Sequence, residues 1–146
     1  MKNNIIIEGT DGVGKTSTIN ELKKEHIICQ DRSKDIISKY MMFDVDMEYR
    51  TKKYYEFLKN NDCIVIFLIN NDKKELMRRI YSRKKISDFD LQAYEYNILY
   101  KDTYLYMKEN NMLNNKLFMI DWTGLSLNEQ INKVKKIIID IYNYNK

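Results

Sequence analysis

Ile5-Ile6-Ile7-Glu8-Gly9-Thr10-Asp11-Gly12-Val13-Gly14-Lys15-Thr16 is the stretch from which the rest of this chain can be read. Three consecutive β-branched residues running up to a glycine predict a short buried strand within Lys2 to Glu8. Gly9 to Thr16 satisfies the pattern G-x-x-x-x-G-K-S/T, and Lys15 to Lys24, with Ile19 and Leu22 on one stripe, predicts the helix that follows. Strand, glycine-rich turn and helix in that order make a phosphate-holding loop. The glycines let the backbone approach an anion, and N–H groups from Gly9, Asp11, Gly12, Val13, Gly14, Lys15, Thr16 and Ser17 can converge on phosphate oxygens at a helix N-terminus. Lys15 is then expected to bridge the β- and γ-phosphates of ATP or another nucleoside triphosphate donor. The Thr16 hydroxyl would ligate Mg²⁺, with Ser17 a weaker contact.

Outward from the loop, strands and helices alternate. Glu25 to Gln30 predicts a second strand around Ile27-Ile28, and Ser33 to Met42 and Glu48 to Asn60 predict helices. Cys63 to Ile69 is apolar throughout, the pattern of a strand covered on both faces. Asn71 or Asp72 caps a helix from Lys73 to about Arg83, a basic interval runs to Asp90, and a long helix covers Leu91 to Asn110. Lys116 to Asp121 is a fourth strand. Ser126-Leu127-Asn128-Glu129 has the spacing of a capping box, and Ile131, Val134, Ile138 and Ile141 fall on one face of the helix it opens. The expectation is an α/β fold of three layers, a P-loop kinase fold with a short, mainly parallel sheet of about four strands flanked by helices. Ligands would bind beyond the carboxyl ends of the strands.

The 146 residues, 44% hydrophobic, suit one domain, 1–146. A net charge of +4 with acidic residues spread along the chain is not the footprint of a dedicated nucleic-acid binder. No run of about 18 apolar residues is present to span a bilayer, and the first residues do not read as a cleavable signal, so no membrane partner and a cytoplasmic location are expected. Cys29 and Cys63 lie in apolar runs as small buried hydrophobes. The lone His26 has no ligand-spaced partner for zinc or for a nucleophilic triad.

Ile7-Glu8-Gly9-Thr10-Asp11-Gly12-Val13-Gly14-Lys15-Thr16-Ser17-Thr18 resembles the opening of thymidylate kinases, which commonly carry an acidic residue at the position of Asp11. The resemblance implies that Asp11 contacts the acceptor sugar. Cys29-Gln30-Asp31-Arg32-Ser33 is similar to the Asp-Arg-Tyr motif of that family and to the Glu-Arg-Ser motif of deoxynucleoside kinases, which sit at a strand end beside the phosphate loop. It implies that Asp31 serves Mg²⁺, and that Arg32 clamps the acceptor phosphate with its planar fork. Arg79-Ile80-Tyr81-Ser82-Arg83, followed by Asp88 and Asp90 and later by Tyr104, is similar to the family's lid, here a basic segment at about 78–90. Some family members place a catalytic arginine in the loop after the acidic residue. Gly12 stands there in this chain, so the resemblance passes that charge to the lid, to Arg83 with Arg79 or Arg78 in support. Trp122 falls where the family's loop packs near adenine, and it suits equally a core position under the last helix.

The resemblance carries a deletion. Only Ile19 to Glu25 separates the loop from the strand carrying Asp31, an interval in which thymidylate kinases place another strand and a base-binding segment. Three readings follow. The first is a deoxynucleoside monophosphate kinase; the second is a kinase of a hydroxyl on a nucleoside or on a hydroxymethylated base in viral DNA, with Asp31 as general base. The third is an ATPase or nucleotide-binding switch. A homodimer is compatible with each.

Overall fold

The computed structural model describes residues 4–10, 12–31 and 37–144. Asp11 and Arg32, both assigned to substrate by resemblance, lie outside the described residues, as do the first residues of the helix expected from Ser33.

Four strands form one parallel sheet in the order β2-β1-β3-β4: β1 (Asn4–Glu8), β2 (Cys29–Asp31), β3 (Cys63–Ile69) and β4 (Leu117–Asp121). Helices among the described residues are α1 (Lys15–Lys24), α2 (Ile37–Tyr40), α3 (Met47–Asn60), α4 (Lys73–Tyr81), α5 (Asp88–Leu91), α6 (Ala93–Glu109) and α7 (Leu127–Tyr144). None is long and apolar enough to cross a membrane.

The unbroken apolar run of β3 has the physical cause expected of it. Ile64, Ile66 and Leu68 enter one core with Leu22 of α1, Leu76 and Ile80 of α4 and Val134 and Ile138 of α7. Val65, Phe67 and Ile69 enter a second with Tyr54 and Leu58 of α3 and Tyr100 and Met107 of α6. Alternate side chains of one strand thus pack under helices on opposite faces, giving layers of helix, sheet and helix. Both cysteines are free and buried, and burial pushes the Cys29 thiol up to about 11.

Several boundaries differ from the sequence expectation: α4 ends at Tyr81 where a helix to about Arg83 is expected, α6 begins at Ala93 where Leu91 is expected, and β2 and α5 differ for physical reasons. The second strand begins at Cys29, because the residues before it end α1. His26 adopts a left-handed φ of 64°, its N–H donates to the Lys23 carbonyl and that of Ile27 to the Leu22 carbonyl. This double closure uses up carbonyls at the helix end and leaves Ile28 on the surface. The basic interval before Asp90 also holds structure: Ser87 and Asp90 form a reciprocal capping box that opens α5. The capping box at Ser126 and Glu129 and the Asp72 cap of α4 form as expected.

Candidate functional site

β1 lies between β2 and β3, so chain direction across the sheet reverses at β1, the place where a crevice opens beyond the carboxyl ends of the strands. The loop from Gly9 to Gly14 leaves β1 at this point. Glycine is required twice for steric reasons. A Cβ at Gly9 would stand 2.6 Å from the Leu68 carbonyl oxygen, because the loop crosses directly over β3. At Gly14, which has φ +83°, a Cβ would lie 2.5 Å from Cη2 of Trp122.

The loop is supported from below. Leu76 and Ile80 of α4 touch the space beside Gly12, and Val13 buries its side chain in the core, leaving only its backbone for a ligand. Gln130 of α7 donates to the Thr18 hydroxyl at 2.8 Å and to the Val13 carbonyl at 3.5 Å. Trp122 is 2% exposed and wedged under Gly14, which identifies it as a structural support and removes the expectation of stacking on adenine.

A cavity of about 220 Å³ opens over this loop, lined by Thr10, Gly12, Gly14, Lys15, Thr16, Ser17, Arg79 and Arg83. Two elements distant in sequence therefore bring cations to one space. The Lys15 ammonium sits 3.7 Å from the Asp31 carboxylate, which the β1–β2 register sets opposite Ile7. Arg79 lies against the Trp122 ring with its guanidinium carbon 4.4 Å from the centroid, donates to Glu75 at 3.0 Å and reaches the Gly12 carbonyl at 3.4 Å. Arg83 lies beyond the end of α4, not on the same helix face as Arg79, yet it lines the same cavity and donates to Asp90 at 3.2 Å. Arg78 instead pairs with Glu75 on the exposed side of the helix.

No family model matches the chain, and no curated protein or solved structure matches it. What this site can do is accordingly carried by its own residues.

Sequence reasoning passed over several of these. Glu75 accepts from both Arg78 and Arg79, and those hydrogen bonds hold its carboxyl down at about 2. Glu8, the residue before the loop, is fully buried and accepts a 2.9 Å hydrogen bond from the Tyr100 hydroxyl. The neighbouring Tyr54 hydroxyl is pushed well above its ordinary value by burial first and by the Glu8 charge second. The visible signal for Glu8 was an acidic residue closing an apolar strand. A larger cavity of about 680 Å³, lined by Ile64, Lys116, Phe118 and Ile137 among others, opens at the amino ends of β3 and β4, away from all of these groups.

Proposed function

We propose that this chain is a P-loop phosphotransferase of the thymidylate kinase type, moving the γ-phosphate of ATP onto the phosphate of a deoxynucleoside monophosphate. The observation that carries the reading is the cavity over the Gly9–Thr16 loop, where glycines and Lys15 on one side face Arg79 and Arg83 on the other. In the reaction an oxygen of the acceptor phosphate attacks the γ-phosphorus while the bond to the β,γ-bridging oxygen breaks, leaving ADP and a nucleoside diphosphate. Both reactants are anions at neutral pH. The chief task is to bring them together in line and to neutralise charge on the transferred group. Lys15 serves the donor phosphates, and Arg83 and Arg79 approach the transferred group from α4 and the turn after it. Arg32, by resemblance, serves the acceptor phosphate.

Thr16 and the half-exposed Asp31 offer oxygen donors of the hard type that suits Mg²⁺, an ion that keeps waters and takes only one or two protein ligands beside phosphates. When bound there, Mg²⁺ would draw charge from the phosphate oxygens.

One observation favours the hydroxyl acceptor as the second reading: Asp31 is 52% exposed, open to a proton donor. Against it, the carboxylate is already engaged with the Lys15 ammonium at 3.7 Å. Incubation with γ-labelled ATP and Mg²⁺ against deoxynucleoside monophosphates, nucleosides and hydroxymethylated DNA separates the two. Label in a nucleoside diphosphate is the expected result; label confined to hydroxyl acceptors overturns the phosphate reading.

A further inference from the structure

Three aromatic rings from three separate segments meet on the surface near Arg83. Phe43, in the loop between α2 and α3, packs on Tyr96 of α6 with centroids 4.3 Å apart and planes tilted by 34°. Phe89 of α5 approaches the same tyrosine ring at 6.3 Å. Phe43 is 48% exposed and Phe89 63%, and their near neighbours in sequence Met42, Ile86 and Leu91 are exposed as well. Apolar rings left in water on a soft loop would be an unfavourable accident. Here the supports are stiff.

Arg50 of α3 is buried and donates to the carbonyls of Tyr40 at 2.8 Å, Met42 at 2.9 Å and Val45 at 2.7 Å, bracketing Phe43 on both sides. The Ser87–Asp90 capping box fixes the turn that carries Phe89. Its Asp90 carboxylate also accepts from Arg83, which lines the phosphate cavity. Counting along that connection, the Phe89 backbone stands within roughly 11 Å of the Arg83 guanidinium. A nucleotide has the same composition of parts over a similar span: a flat aromatic face at one end and an anion at the other.

The geometry points to Phe43, Phe89 and Tyr96 as the platform on which the nucleobase of the acceptor stacks while its phosphate faces the arginines. This rests on the phosphotransfer reading and supplies what the deletion between α1 and β2 removed. Preset aromatic surfaces bind bases through their π-faces, and rigidity lowers the entropy lost on binding. Phe43 and Phe89 carry no hydrogen-bonding group, so the platform reads the face of a base more than its edge. Several bases should be accepted, purines most tightly.

The test uses protein with isotope-labelled phenylalanine rings. The chain has five phenylalanines, and the signals of the two of interest are assigned with Phe43→Leu and Phe89→Leu. Deoxyadenosine monophosphate should shift both signals, whereas deoxyribose 5-phosphate, which lacks a base, should leave them in place. The double variant should bind deoxyadenosine monophosphate about tenfold or more weakly, while its affinity for a fluorescent ATP analogue, which also reports intact folding, stays within about twofold. Unchanged monophosphate affinity in the double variant overturns the platform. So does monophosphate binding without a ring response, or ring signals that move only with an oligonucleotide or with protein concentration. Failure of the wild type to bind the ATP analogue sinks the phosphotransfer reading itself, a result distinct from loss of the platform alone.

Discussion

Arg83 and Gly14 show how much one position can carry. Arg83 lines the loop cavity, and under the proposed phosphotransfer it would meet charge that spreads over the transferred phosphoryl, an interaction stronger in the transition state than in the bound ground state. Arg83→Ala should therefore lower kcat about a hundredfold while changing ATP affinity little; equal affinity loss with kcat retained would reduce it to a binding residue. Gly14 is constrained by shape. An alanine there meets the Trp122 ring at 2.5 Å in a left-handed backbone, so Gly14→Ala should destabilise the fold by about 3 kcal/mol, read from the urea midpoint. A variant as stable as the wild type would contradict the wedge under the loop. The glycines of the loop were legible in sequence as a motif of fixed spacing, and at Gly9 and Gly14 the structure supplies a steric reason for them. The role of Glu8 was not legible, and for Trp122 the sequence left a core position and a ligand contact equally open; the fold buries it.

Among the elements, α4 and the 41–46 loop depend on single ionic residues. Glu75 holds Arg78 and Arg79, and its carboxyl is depressed from 4.5 to about 2 by those hydrogen bonds, Arg78 first. A group depressed in the folded state contributes stability that is full above about pH 4.5 and is lost as pH falls toward about 2. Acidification across that window should lower the urea midpoint more in wild type than in Glu75→Gln, which has no proton to take up there; equal falls would contradict the pairing. Arg50 stays a cation although burial lowers its pKa, because backbone carbonyls replace water around it. Removing it in Arg50→Ala strands three carbonyls, and a loss of about 3 kcal/mol or more is expected in urea unfolding; a loss below about 1 kcal/mol would mean water replaces it. Sequence pattern located β1, α1, β3 and α7 closely because their periodicity or apolarity is strong. It misplaced the start of β2, where a left-handed His26 closes α1 with no glycine to mark the turn, and it missed α5, four residues without a stripe.

For the whole molecule, alternating strands and helices announced a parallel α/β sheet, and the sheet has that form. What the pattern could not contain was the strand order, since pairing is decided by which faces bury together. The order matters chemically: it sets Asp31 beside the loop and brings Arg79 of α4 and Arg83 of the turn after it to the same cavity as Lys15. The aromatic cluster proposed as a base platform was equally illegible, because Phe43, Phe89 and Tyr96 come from three segments with no shared motif. The central claim is that these cations transfer a phosphoryl group between two nucleotides. Phosphorus magnetic resonance of the wild type with ATP, Mg²⁺ and mixed deoxynucleoside monophosphates observes this directly. The ATP γ-signal should decline as ADP and a new diphosphate rise in equal amounts, and Lys15→Ala should slow this by about a hundredfold or more. Unchanged spectra, or inorganic phosphate rising while every monophosphate stays intact, would contradict the claim.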